Sequence, residues 1–289
     1  MSEKNKQVKY PDMNEASKAY DEGMELLGSR ELEKARERFE TLLRLDAGHE
    51  VARYQLGAVL AMLGRYDEAI NRFGELERAR GEYAFRAELE QGYILYLAGR
   101  HEEAVQRLDA RLKACDEPLA WLFKSLAFEA LGRPEEAKKS FKRSVAVARR
   151  ESMGEGPCWW WSMECDEMME KGWLERALIC NEVLIKLDPK YYSAMEGKGC
   201  LLRDMGRLEE ALEWFDKALE GGQKEDDEDD YWSAVYNKGL CLAALGRHQD
   251  AIALYDRIIA DGQGCFFDIV PDAEKARERS LEASAKLSQ

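Results

Sequence analysis

The chain has 289 residues, with 43 Lys and Arg against 57 Asp and Glu, for a net charge of −14. That balance argues against a nucleic-acid backbone or an anionic membrane as the main partner, since both recruit clustered positive charge. Hydrophobic residues make up 45% of the chain, enough for a folded core, and a chain this long reads as about two domains.

Helix formers dominate and only six prolines occur, so the expected fold is all-α. Residues 1–15 read as an N-terminal tail without the apolar segment of a secretory leader. No apolar stretch approaches the ~20 residues of a membrane span. The seven cysteines (Cys115, Cys158, Cys165, Cys180, Cys200, Cys241 and Cys265) are odd in number and widely spread, without a CxxC. They read as reduced thiols, and the expected location is the cytoplasm.

From residue 16 onward one string keeps returning. It reads SRELEKA at 29–35, LGRYDEA at 63–69, AGRHEEA at 98–104, LGRPEEA at 131–137, KGWLERA at 171–177, MGRLEEA at 205–211 and LGRHQDA at 245–251. Twelve residues before each closing alanine stands a small residue: Gly23, Gly57, Gly92, Ser125, Cys165, Gly199 and Gly239. Four residues after it comes Phe39, Phe73, Leu108, Phe141, Asn181, Phe215 or Tyr255, bulky in all cases but Asn181. Small residues at two fixed places let two helices approach closely, and the bulky group one turn on can fill the space beneath them.

These landmarks predict helix pairs starting near 16, 50, 85, 118, 158, 192 and 232. Within each, a first helix ends at a turn glycine (Arg30 takes that place in the first) and a second helix follows. Repeats one to four then occupy 16–151 and repeats five to seven occupy 158–262. The insertion at 152–157 (SMGEGP) is either a joint or an ordered loop, and a second insertion, 221–230, carries the acidic run from Glu225 to Asp230. The acidic run reads as a solvated loop or as a contact for a basic partner. Residues 263–289 end the chain, with a capping helix expected over 272–287. The prolines agree: Pro118 and Pro134 stand at helix starts, and no proline falls inside a proposed helix.

The pattern resembles the tetratricopeptide repeat family, whose signature has the same small residue, the alanine twelve later and an aromatic four after that. The resemblance implies a right-handed superhelical solenoid of seven helix-turn-helix repeats closed by the capping helix. It also implies a concave groove, lined by the first helix of each repeat, that holds an extended peptide or a helix of a partner.

Little in the chain suggests catalysis. Three histidines, no GxGxxG, P-loop, HExxH or GxSxG string and no metal-knuckle spacing leave no candidate catalytic residue, metal or cofactor. The expected activity is therefore non-catalytic protein binding. The alternative is a regulatory or substrate-recognition subunit whose chemistry lies on another chain. Groove-facing positions in repeats two to four include Tyr54, Arg86, Leu89, Tyr93, Tyr96, Leu122 and Leu126, an apolar and aromatic wall. In repeats five and six they include Trp159, Glu196 and Arg203, a polar and acidic wall, and in repeat seven they return to Tyr236 with Ser233, Leu240, Ala243 and Ala244. Apolar residues beyond what helix pairing needs would form an exposed strip floored by Tyr54, Leu89, Tyr93, Tyr96 and Leu122, unless a tight superhelix buries that strip against itself or the N-terminal tail. The expected partner is a protein segment, a peptide or a helix, that is apolar and carries basic residues. Neither nucleic acid nor membrane is expected, and oligomeric state is left open.

Overall fold

A computed structural model of the chain describes residues 13–170, 172–221, 228–261 and 269–287. Among the described residues lie fifteen helices and no strand. The chain divides into two compact units, one running to Pro157 and the other from Cys158.

The first unit holds α1 (Met13–Gly28), α2 (Leu32–Leu45), α3 (Glu50–Met62), α4 (Tyr66–Ala79), α5 (Ala84–Leu97), α6 (His101–Ala114), α7 (Pro118–Ala130) and α8 (Pro134–Glu151). Each helix packs on the next, and α5 also packs on α7. The second unit holds α9 (Pro157–Glu170), α10 (Leu174–Leu187), α11 (Tyr192–Asp204), α12 (Leu208–Gly221), α13 (Glu228–Ala244), α14 (His248–Asp261) and α15 (Val270–Leu287). From α10 on, each helix again packs on the next, while α11 packs on α13 and α13 on α15. Contacts to both the next helix and the next but one make each unit a two-layer stack.

The repeated string has a physical cause at each letter. Its glycine ends a helix in the left-handed region: Gly64, Gly99, Gly132, Gly206 and Gly246 have φ between 68° and 77°. The N–H after each glycine then reaches back five residues, as in Arg65 to the Leu60 carbonyl at 2.9 Å and Arg247 to Leu242 at 2.8 Å, which closes the helix end. In the first turn Arg30 takes the same conformation, φ 59°, without glycine's freedom. The arginine that follows the glycine forks onto the acid three residues on. Arg65 reaches Glu68 at 2.7 and 2.8 Å, Arg100 reaches Glu103 at 2.7 and 2.6 Å, and Arg207 reaches Glu210 at 2.7 and 2.6 Å. These hydrogen bonds hold Glu68, Glu103 and Glu210 below the ordinary glutamate range.

The closing alanines from Ala35 to Ala251 are buried, and above Gly23, Gly57, Gly92, Gly199 and Gly239 sits the bulky group sixteen positions later. A Cβ on Gly57 would lie 2.8 Å from Phe73, one on Gly199 2.5 Å from Phe215 and one on Gly239 2.6 Å from Tyr255. Where the glycine is replaced, the side chain finds a partner instead. Ser125 Oγ donates to the Ala137 carbonyl at 2.8 Å and Cys165 Sγ to that of Ala177 at 3.5 Å.

One segment departs from the sequence reading. Helix α13 starts at Glu228, so Glu228–Asp230, expected in a loop, form its first turn, where acids meet the positive helix end. The rest of the acidic run, 225–227, lies outside the described residues, as do residues 1–12 of the expected tail. In 152–157, Ser152 is fully buried, its Oγ donating to the Arg149 carbonyl at 2.8 Å and accepting from Gly156 N–H at 3.1 Å. The C-terminal helix buries Ala273, Ala276 and Ser280, the one face it turns to the stack.

Candidate functional site

In the first unit, four of the seven expected groove residues are not on an open wall. Tyr54, Leu89, Tyr93 and Leu122 are buried, so the exposed strip expected from them is closed. The cause is packing between alternate helices. Tyr54 on α3 donates its hydroxyl to Glu90 on α5 at 2.9 Å, and its ring meets Phe73 and Tyr83, both at 5.4 Å. Tyr93 on α5 lies on Phe123 of α7, ring centroids 4.6 Å apart. Of the remaining three, Tyr96 and Leu126 are half-buried and Arg86 is exposed. Tyr96 rests against His101 at 5.7 Å, and the Arg86 guanidinium lies 5.9 Å from the Tyr83 ring.

The second unit presents a different surface. In α9, Trp161, Cys165 and Met168 are buried. On a helix of 3.6 residues per turn these three share an arc of about 60°. Trp159, Met163, Asp166 and Glu170 share another arc of about 60° on the opposite side. All four are exposed, Trp159 at 38% and Met163 at 53%, and Met169 beside them is exposed at 38%. Large apolar side chains at such exposure on one helix are the unusual feature of this unit, since isolated exposed apolar groups are ordinary and grouped ones are not. The carboxyl of Asp166 is pushed above the ordinary aspartate range by partial burial and by Glu170.

Along α11 and α13 the expected groove residues form a polar knot. Glu196 Oε1 accepts from Ser233 Oγ at 2.8 Å, from Asn237 Nδ2 at 3.1 Å and from Cys200 Sγ at 3.1 Å. Arg203 donates to the side-chain Oδ1 of Asn237 and to Asp204 Oδ1, the latter at 2.9 Å. The knot ties alternate helices together and leaves Glu196 and Arg203 half-exposed. Tyr236, also half-buried, stands one turn from it, its ring 6.1 Å from Tyr255.

Burial disfavours the thiolate form of Cys165, Cys180, Cys200 and Cys241. Burial pushes Cys165 and Cys241 up to about 11, and raises Cys200, where Glu196 adds to the effect, and Cys180 further. A thiol acts as a nucleophile or metal ligand through its thiolate, which these positions disfavour. His49, read from sequence only as a turn residue, caps α3 by accepting the Ala52 N–H on Nδ1 at 3.1 Å. No group of three or more His, Cys, Asp or Glu suited to a metal ion occurs among the described residues. No helix of the described residues is long and apolar enough to cross a membrane.

Tetratricopeptide-repeat sequence profiles match residues 26–87, 119–150 and 192–261. No curated protein matches the chain. Among solved structures, a tetratricopeptide repeat protein from Parabacteroides merdae is 13% identical, with 92% of this chain and 99% of that one covered and a TM-score of 0.44. MamA from Desulfovibrio magneticus RS-1 is 19% identical, with 72% and 94% covered and a TM-score of 0.38. The TPR2AB domain of yeast Sti1 in complex with pHSP90 is 16% identical, with 93% and 99% covered and a TM-score of 0.37.

Proposed function

Since the chain belongs to the tetratricopeptide repeat family, we propose that it is a non-catalytic protein-interaction scaffold whose main docking face lies on the second unit, along α9 with α11 and α13. The observation that carries this reading is the exposed face of α9. Trp159, Met163 and Met169 offer apolar contact area, and Asp166, Glu167 and Glu170 stand among them. That combination suits a peptide or helix with an apolar anchor flanked by Lys or Arg. Trp and Met fit such a role because a large ring and a flexible thioether adapt to a partner at moderate entropic cost. Glu196, Arg203 and Tyr236 on α11 and α13 would supply further contacts to the partner, the first two held in place by the knot. In the first unit, Arg86, Tyr96 and Leu126 are what the buried wall leaves available to a ligand. We place the protein in the cytoplasm, in keeping with its free thiols.

The test is affinity capture by the wild-type chain and by Trp159→Ser/Met163→Ser, with both melting curves recorded. The proposal expects specific partners on the wild type that are missing from the double variant at unchanged melting temperature. Partners retained in full by the double variant would remove α9 from the site. A stoichiometric enzyme among the partners would assign the chain to the subunit class.

A further inference from the structure

The outer helix α8 carries a surface unlike the rest of this acidic chain. Between Ala137 and Arg150 it holds six cations, Lys138, Lys139, Lys142, Arg143, Arg149 and Arg150, and no acid. All six are exposed, while Ala137, Ser140, Ser144, Val147 and Ala148 form the buried side. At 3.6 residues per turn the cations share an arc of about 140°, and from Lys138 to Arg150 they run about 18 Å along the axis.

The arc has two rows. The row nearer the body of the unit, Lys139, Arg143 and Arg150, already grips a carboxylate. Arg143 Nη2 and Arg150 Nη1 donate to Asp116 Oδ2 at 2.6 and 3.3 Å. The outer row, Lys138, Lys142 and Arg149, lies within about 40° of arc and pairs with no carboxylate among the described residues.

We propose that the outer row of α8 is a second docking surface, and that its occupant is an Asp- and Glu-rich segment of a partner protein. Charge complementarity carries the choice of occupant, and the inner row shows this face holding a carboxylate. A nucleic acid fits less well, because no aromatic side chain lies on the exposed arc of α8 to stack a base. A membrane fits less well because the arc has no large apolar side chain to insert, only Ala146 among the cations. This surface is independent of the α9 face, so either can fail alone.

The test is fluorescence anisotropy with a labelled, end-blocked twelve-residue peptide of alternating Glu and Asp, and with its Gln/Asn counterpart. The full chain is titrated as wild type, as Lys138→Glu/Lys142→Glu/Arg149→Glu, and as Lys34→Glu/Arg38→Glu/Arg44→Glu on α2. Both triples change net charge equally, and Asp116 keeps its partners in each. The expected result is binding of the acidic peptide alone, weakened tenfold or more by the α8 triple and little changed by the α2 triple. Binding should also fall as salt rises from about 50 to 300 mM, as exposed charges become screened. Equal losses in the two triples would reduce the effect to net charge and overturn the proposal. So would absence of binding, a single-stranded oligonucleotide or anionic vesicle bound more tightly through the same three residues, or self-association of the chain that the α8 triple abolishes.

Discussion

The clearest test of the repeat geometry is a pair of glycine substitutions with opposite expected signs. Gly57 and Gly74 both lie inside helices, α3 and α4. Replacing either by alanine removes glycine's backbone entropy cost, a gain of about 0.5–1 kcal/mol. At Gly74 the new Cβ meets only the flexible end of Gln91 at 3.4 Å, so Gly74→Ala should realise that gain. At Gly57 it would sit 2.8 Å from two ring atoms of Phe73, which is fully buried and cannot swing away. Overpacking of this kind costs about 1–3 kcal/mol, so Gly57→Ala should be destabilising or at best neutral, and well below Gly74→Ala. Phe73→Ala should relieve the clash, whereas leucine would not, since a Cβ on Gly92 would lie 2.5 Å from Leu108 in the same geometry. The double variant Gly57→Ala/Phe73→Ala should therefore lose less than the sum of its singles, by about 1 kcal/mol or more. Urea melts followed by far-ultraviolet circular dichroism measure all four chains. A Gly57→Ala protein as stable as Gly74→Ala, with additive behaviour in the cycle, would refute the assigned pairing.

Three further outcomes are expected. Tyr93→Ala should cost about 3–5 kcal/mol, because the ring is 7% exposed and stacked on Phe123; a melting curve unchanged by it would return Tyr93 to an open wall. Arg30→Gly should raise stability by up to about 1 kcal/mol, since φ 59° strains arginine and suits glycine, and a loss of stability in the same urea melt would count against this. Burial opposes ionisation of Asp116, but hydrogen bonds from Trp121 and Arg143 outweigh it and hold the carboxyl below the ordinary aspartate range. A lowered carboxyl stabilises above its unfolded value of about 3.9 and loses that contribution as pH falls through the folded value. Asp116→Asn should therefore cost about 1 kcal/mol near pH 7, with the gap to wild type closing below about pH 4. A gap that is constant with pH would contradict it.

The helix pairing was legible because each landmark serves one local contact. A glycine in the left-handed region, an alanine under a neighbouring helix and a ring over a glycine recur with the chain's own period. Expected starts at 50, 118 and 192 coincide with Glu50, Pro118 and Tyr192. The start expected at 232 falls at Glu228, because acids continue the helix backward where a loop was anticipated. The closure of the first unit's wall was not legible in the repeat period. Periodicity treats the first helix of a pair as having one partner, whereas α5 packs against α4, α6 and α7. Tyr54 and Tyr93 look surplus to pairing and are consumed by contacts to the next first helix, through Glu90 and Phe123. Trp159 is an expected groove residue that is exposed together with other large apolar side chains of the same helix. Met163, at a position not assigned to the groove, joins it because both project opposite Trp161. The basic rows of α8 could have been seen as six cations without an acid, had charge been counted helix by helix rather than over the whole chain.

The central claim is that a partner protein docks on α9. A photo-crosslinking residue placed at 163, with one at 138 and one at 44 for comparison, tests it in the full chain under native conditions. The account predicts a discrete protein adduct at 163 that is absent at 44 and is lost when Trp159 is also replaced by serine. Any adduct at 138 should be a different species, chased by an acidic peptide. No adduct at 163, or the same adducts in equal yield at 163 and 44, would contradict the claim.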